Sequence, residues 1–164
     1  MTPLFADPPL AVARVYDPVG LRRGRALLLD HAFELRAELG VDPCDADVAL
    51  RDALADPVAA FVHGRSSLLV ATDSGRDIGV AVVEPHSNGT AQLRHLYVRP
   101  SARRGGVGRA LMSAAVVLCR AAGHRTLWVD PIAEISAPVH ALGSSFGFRK
   151  YDDGAELTLT RCQS

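Results

Sequence analysis

Val98-Arg99-Pro100-Ser101-Ala102-Arg103-Arg104-Gly105-Gly106-Val107-Gly108-Arg109 is the stretch of this 164-residue chain whose reading decides the fold. Before it, Ala91 to Val98 is an apolar run that reads as a strand, and Pro100 ends it. After it, Val107, Leu111, Ala114, Leu118 and Ala121 recur three or four apart, which predicts a helix, with Gly123 as its stop. Gly105, Gly106 and Gly108 let the backbone turn and approach a ligand where a Cβ would clash. The first amides of a helix lack partners within it, and its dipole attracts negative charge. Arg103, Arg104 and Arg109 add full charges. Together these features describe an anion pocket that suits a pyrophosphate. A plain turn among solvated arginines is the competing reading, and the strand before and helix after weigh against it.

Two other phosphate loops compete. A Walker A loop requires Gly-Lys-Ser/Thr, but Gly108 is followed by Arg109-Ala110, so the lysine and the magnesium hydroxyl are both missing. The dinucleotide fingerprint G-x-G-x-x-G fits Gly106-Val107-Gly108-Arg109-Ala110, but Leu111 replaces the third glycine. Asp130 lies where a ribose-binding acid would stand. That fingerprint directly follows its strand, however, whereas here a proline and several residues intervene.

Working outward, Ser67 to Thr72, Ile78 to Glu84 and Ala91 to Val98 are apolar runs joined by Asp73-Ser74-Gly75 and by His86 to Gly89, an antiparallel meander. Upstream, Ala11 to Tyr16 alternates as a first strand. Val19 to Leu39 predicts a helix with an apolar stripe of Leu21, Leu28, Ala32, Leu35 and Leu39, capped by Gly40. A shorter helix is expected from Asp47 to Asp56, with Asp45 as its N-cap. Downstream come a strand at Thr126 to Val129, a helix from Ser136 to Ser145 with Pro138 in its first turn, and a last strand from Ala155 to Arg161. The order β, α, α, β, β, β, α, β, α, β implies an α/β chain of the mixed α+β kind. A central, mostly antiparallel mixed sheet is flanked by helices, in a single domain over residues 1–164.

Composition excludes several classes. The chain is 48% apolar and 22% charged, which rules out wholesale disorder. Eighteen basic residues balance 18 acidic ones, which argues against a general coat for nucleic acid or an anionic membrane. The zero is uneven: residues 1–84 carry −5, residues 85–129 carry +7 with no acid, and residues 130–164 carry −2. Met1 to Val15 does not read as a signal peptide, and no apolar run reaches the ~20 residues of a membrane span. Cys44, Cys119 and Cys162 are odd in number and widely spaced, so neither a disulfide framework nor a CxxC metal knuckle is expected. No metal site and a cytoplasmic location are the resulting expectations.

Arg103-x-x-Gly106-x-Gly108, preceded by Leu96-Tyr97-Val98-Arg99-Pro100, resembles the acetyl-CoA signature of the GCN5-related N-acetyltransferases (GNAT). The helices before the meander, the Asp-Ser-Gly-Arg-Asp-Ile-Gly turn and the terminal Phe146-Gly147-Phe148 extend the resemblance over most of the chain. It implies the GNAT-like acyl-CoA N-acyltransferase fold with acetyl-CoA as cosubstrate. It also implies that the backbone of Leu96, Tyr97 and Val98 pairs with the pantetheine arm, while Arg103, Arg104, Gly105, Gly106, Val107, Gly108 and Arg109 hold the pyrophosphate. One feature of the residues themselves agrees. Leu93 and Leu96 are three apart, whereas strand faces repeat every two, so burying both requires a bulge near Arg94-His95. The alternative is that one leucine is exposed.

The implied reaction is direct attack of a primary amine, of a small molecule or peptide, on the thioester in a ternary complex. The tyrosine that usually protonates the departing thiolate is missing: its place falls on Gly143. The strand places that often carry a base hold Gln92 and Arg94, and the asparagine that often opens the last helix is Ser136. His140 and Ser144 are the candidate catalytic substitutes, a surface or capping role being the alternative for His140. Glu84 and His86 could feed the acceptor side, or be turn residues in solvent. His31, His63 and His124 show no constellation. A degenerate CoA-binding sensor or scaffold is the rival function. Nucleic-acid binding by the arginine segment is weaker, because few aromatics interleave. Neither nucleic acid nor membrane is expected as a partner, and a homodimer is one option for an open oligomeric state.

Overall fold

Asp17-Pro18 starts the first helix. The Asp17 carboxylate accepts hydrogen bonds from the Val19 and Gly20 amides at 3.0 and 2.9 Å, and Pro18 fills a position that needs no N–H partner. The helix α1 runs Pro18–Leu39, and Gly40 closes it at φ 69°, donating its N–H to the Arg36 carbonyl at 3.0 Å. A computed structural model describes residues 10–129, 137–151 and 154–159 of the chain.

The buried stripe of α1 is Gly20, Leu21, Gly24, Leu27 and Leu28, so the expected continuation through Leu35 and Leu39 is corrected. Beyond Leu28 the helix meets the sheet through Leu29, His31 and Ala32, and its acids pair with arginines: Asp30 with Arg99 and Glu34 with Arg103. A polar junction there leaves Leu39 exposed. Gly24 lets α1 lie close on the sheet, since a Cβ there would stand 2.5 Å from Leu68 Cδ2.

The second helical region also differs from expectation. Pro43–Ala46 forms a single turn, α2, and Val48–Ala55 forms α3. Asp42 caps the turn begun by Pro43, so Asp45 is already helical and cannot serve as the cap of α3. That cap is Asp47, which accepts from the Leu50 amide at 3.0 Å.

Among the described residues, seven strands form one sheet in the order β1-β2-β3-β4-β5-β7-β6. They are β1 Ala11–Val15, β2 Ser67–Asp73, β3 Arg76–Pro85, β4 Thr90–Val98, β5 Thr126–Val129, β6 Arg149–Tyr151 and β7 Gly154–Thr158. The meander β2-β3-β4 is antiparallel, as the spacing predicts. Ser74 and Gly75 both take positive φ, the two-residue turn whose twist suits a hairpin. Among the described strands only β4 and β5 are parallel, joined across α4, Val107–Ala121. The helix α5, Ala137–Phe146, follows β5. Ser136 lies outside the described residues, as do residues 160 and 161 of the expected last strand. The short strand β6 has no counterpart in the sequence reading, because three residues carry no detectable alternation.

Each sheet face has its own core. On one, Leu69, Ala81, Val83, Leu93 and Leu96 pack under Val107, Leu111, Met112, Ala115 and Cys119 of α4. On the other, Leu68, Val70, Val80, Val82 and Tyr97 pack under α1 and α3. The α4 stripe is turned from the expected one: Met112, Ala115 and Cys119 are buried where Ala114, Leu118 and Ala121 were expected. Among the described residues, no helix is long and apolar enough to cross a membrane.

Candidate active site

The bulge lies where the leucine spacing puts it. Leu93 and Leu96 are 0% and 8% exposed, which removes the alternative of an exposed leucine. Val82 pairs with Arg94 and Val80 with Tyr97, so β4 spends one more residue than β3 over this interval, and His95 takes φ 54°. As a result two consecutive side chains, Arg94 and His95, reach the α1/α3 face of the sheet. Both contact Asp47 there.

The described pairing of this strand with its parallel neighbour is short. The β4–β5 ladder runs from Thr90–Thr126 to Leu93–Val129. From Arg94 to Val98, β4 is paired only on its β3 side among the described residues. A strand edge with unpaired backbone groups can take an extended ligand arm, by the chemistry of strand addition.

The loop after β4 leads from this strand end to a helix start. Ala102 N–H bonds the Arg99 carbonyl at 2.9 Å in a short turn, then Arg104 and Gly106 take φ 66° and 81°. The first backbone hydrogen bond of α4 joins Ala110 N–H to the Gly106 carbonyl at 3.0 Å. The amides of Val107, Gly108 and Arg109 precede it, and such amides form an anion site at the positive end of the helix. The neighbouring α5 is tied to this turn: Arg109 donates to Ser145 Oγ at 3.0 Å and its guanidinium lies 5.3 Å from the centre of the Phe146 ring.

Five arginines of the acid-free segment, from Arg94 to Arg109, divide into two groups. Arg94 pairs with Asp47 at 2.7 Å and Glu84 at 3.1 Å, Arg99 with Asp30 at 3.0 Å, and Arg103 with Glu34. Arg103 also donates to the Val98 carbonyl at 2.9 Å and lies over the Tyr97 ring. Its charge is thus directed at α1 and at the strand end. Arg104 and Arg109 are exposed beside the loop.

The α1/α3 face carries a cluster that the sequence does not reveal. His95 Nε2 lies 3.2 Å from Asp47 Oδ2, and the His31 ring is 5.7 Å from that of His95 and 5.3 Å from that of Tyr97. Burial disfavours the Asp47 charge, yet the His95 hydrogen bond, the Leu50 amide and Arg94 together hold its carboxyl below the usual carboxylate range. Burial, with help from His95 and Arg103, pushes His31 down to about 3, so it is neutral at physiological pH. Only helix periodicity joined to a bulge could have linked residues 31, 47 and 95, which are distant in sequence.

Other residues singled out from the sequence are spread more widely. Glu84 is an ion-pair partner of Arg94, and His86 is exposed in the β3–β4 turn. Ser144 is exposed on α5, where His140 and Gly143 also lie. The side chain of His140 lies outside the described residues, as does Asp130, which the dinucleotide reading needs. Gln92 is buried on β4.

The model of the acetyltransferase (GNAT) domain matches residues 64–150, more than half of the chain, from just before β2 into β6. The chain belongs to the GNAT family. No curated protein sequence matches it. Solved GNAT structures share its fold. An acetyltransferase from Staphylococcus aureus Mu50 superposes with a TM-score of 0.72 at 14% identity, over 92% of this chain and 99% of the other. One from Desulfovibrio desulfuricans gives 0.67 at 22% identity, over 92% and 99%. A third, from Brucella melitensis and solved in complex with acetyl-CoA, gives 0.67 at 18% identity, over 94% and 91%. In this GNAT domain the bulge, the end of β4 and the glycine loop follow one another along one continuous piece of chain, Arg94 to Arg109.

Proposed function

We propose that the protein is an N-acetyltransferase that uses acetyl-CoA to acetylate a primary amine of a small molecule or peptide, by direct attack in a ternary complex, as a single cytoplasmic domain. The observation that carries this reading is the juxtaposition of the bulged end of β4 with the start of α4. The first suits a pantetheine arm running beside Leu96, Tyr97 and Val98. The second suits a pyrophosphate held by residues 103–109, with the amides of Val107, Gly108 and Arg109 as donors and Arg104 and Arg109 as nearby charges. In this reading Arg103 acts mainly through its backbone, its side chain being engaged by Glu34.

The amine nitrogen forms the new bond to the acetyl carbon as the carbon–sulfur bond breaks. An alkyl ammonium with a pKa of ~10.4 costs about 4–5 kcal/mol to deprotonate at pH 7, so a base is needed. Backbone N–H groups at the bulge are suited to polarising the acetyl carbonyl. His140 and Ser144, on α5, are the candidates to return a proton to the thiolate in place of the tyrosine that Gly143 lacks.

Thiol release from acetyl-CoA across a panel of amines tests this function. Amine-dependent release supports it, and His140→Ala or Ser144→Ala should lower kcat if either donates that proton. Saturable CoA binding with no amine-dependent release would replace transfer by a sensor or scaffold role, the reading favoured by Gly143 and by an Arg94 locked in ion pairs.

A further inference from the structure

The cluster beneath the bulge lies outside the residues proposed to hold the cosubstrate, and Asp47 is its hub. Asp47 uses both carboxylate oxygens. Oδ1 accepts from the Leu50 amide at the start of α3, and Oδ2 receives Arg94 at 2.7 Å and His95 Nε2 at 3.2 Å. Arg94 is itself fixed by Glu84 across the β3–β4 ladder. The side chains of His95 and Asp47 are only 11% and 15% exposed. A neutral imidazole that donates from Nε2 keeps Nδ1 as an acceptor.

The geometry points to His95 as the general base that takes the proton from the acceptor ammonium, with Asp47 as the residue that fixes its tautomer and orientation. This inference rests on the N-acetyltransferase reading. His95 directly precedes Leu96 to Val98, the backbone proposed to meet the pantetheine arm, and the bulge turns its side chain to the face opposite α4. In this reading the acceptor amine reaches the partly exposed imidazole before it reaches the thioester. His95 takes one proton from the ammonium and passes it to solvent. The neutral nitrogen then attacks the acetyl carbon, and its second proton goes with the departing thiolate. The balance is an ammonium and a thioester in, and an amide, a thiol and one proton out.

The groups around His95 are arranged for this role. From α3 comes the Asp47 carboxylate, from β4 the Arg94 cation and the Tyr97 phenol, from β3 Glu84 through Arg94, and from α1 the His31 ring, with the Asp30–Arg99 and Glu34–Arg103 pairs beyond. Held neutral by burial, His31 adds no positive charge that would repel a protonated His95 or an arriving ammonium. The base is displaced from the strand positions of Gln92 and Arg94 because the inserted residue of the bulge turns residue 95 to the acceptor face.

The test is His95→Asn, a substitution compatible with φ 54° because asparagine tolerates the left-handed region. Acetyl transfer is measured at saturating acetyl-CoA with an alkylamine that the wild type accepts, and with an acceptor whose amine is neutral at pH 7, such as an arylamine. The expected result is a fall in kcat of about 100-fold for the alkylamine at pH 7. The deficit should shrink as the pH rises toward the amine's own pKa, and CoA affinity should stay within about twofold of wild type. The neutral amine should lose much less. Asp47→Asn, which preserves the cap because asparagine also caps helices, should lower kcat about tenfold with KM little changed. An unaltered kcat in both variants, or a loss equal for both acceptors and independent of pH, would overturn the assignment of His95 while leaving the acetyltransferase reading intact. A wild type that binds CoA but acetylates no amine would overturn both.

Discussion

Gly106 shows how a single residue can serve ligand geometry. An added Cβ would meet nothing within 4 Å, so space does not demand glycine there. The backbone does, because φ is 81° at the residue that begins α4. A β-branched side chain in that conformation is strained by about 1–3 kcal/mol, and relaxing the strain would re-aim the helix's first amides. Gly106→Val should therefore weaken CoA binding about tenfold or more, read by calorimetry, while circular dichroism stays native. Unchanged affinity with an intact fold would contradict this. His31 makes a second prediction, about pH. Its folded pKa of about 3 lies below the ordinary ~6.5, so below pH ~6.5 the unfolded chain binds a proton that the folded one refuses. Stability from this group is full above that pH and falls by about 3 kcal/mol by pH 4. Asp47, whose pKa is also lowered, adds its loss only below its unfolded value near ~3.9. Urea denaturation at pH 7 and pH 4 should show the fall, and His31→Gln should flatten it. A variant just as acid-sensitive would contradict the assignment.

At the scale of elements, the contact of α1 with the sheet depends on Gly24 facing the fully buried Leu68. Gly24→Val should destabilise the protein by about 1–3 kcal/mol through overpacking, visible as a lower Tm. An unchanged Tm would mean that α1 can shift freely on β2. The same elements explain what the sequence disclosed. The meander and α4 were legible because each carries a long run of one period, and the bulge was legible because Leu93 and Leu96 break that period between them. The turned stripe of α4 and the early end of the buried stripe of α1 were not, since they depend on the sheet beneath Met112 and on the arginines beneath Asp30 and Glu34. The cap of α3 was misassigned by two residues because several aspartates compete and Pro43 decides among them. The Asp47–His95–His31 cluster was invisible, because it joins three elements across a bulge whose sidedness the sequence left open.

Across the whole molecule, a net charge of zero conceals a division that the fold partly heals. Arg94, Arg99 and Arg103 of the acid-free segment pair with Asp47, Glu84, Asp30 and Glu34 of the acidic first half. Positive charge left beside the glycine loop comes from Arg104 and Arg109. That is too small a patch for a polyanion but suited to a pyrophosphate, so fluorescence anisotropy should detect no oligonucleotide binding at ~0.15 M salt. Binding that CoA fails to displace would contradict this. Acetyl-CoA is expected to sit across the end of β4 and the start of α4. Amide hydrogen exchange with and without saturating CoA tests this placement most directly. The account predicts slowed exchange concentrated at Leu96 to Val98 and at Val107 to Arg109, and unchanged exchange at those amides under saturation would contradict it.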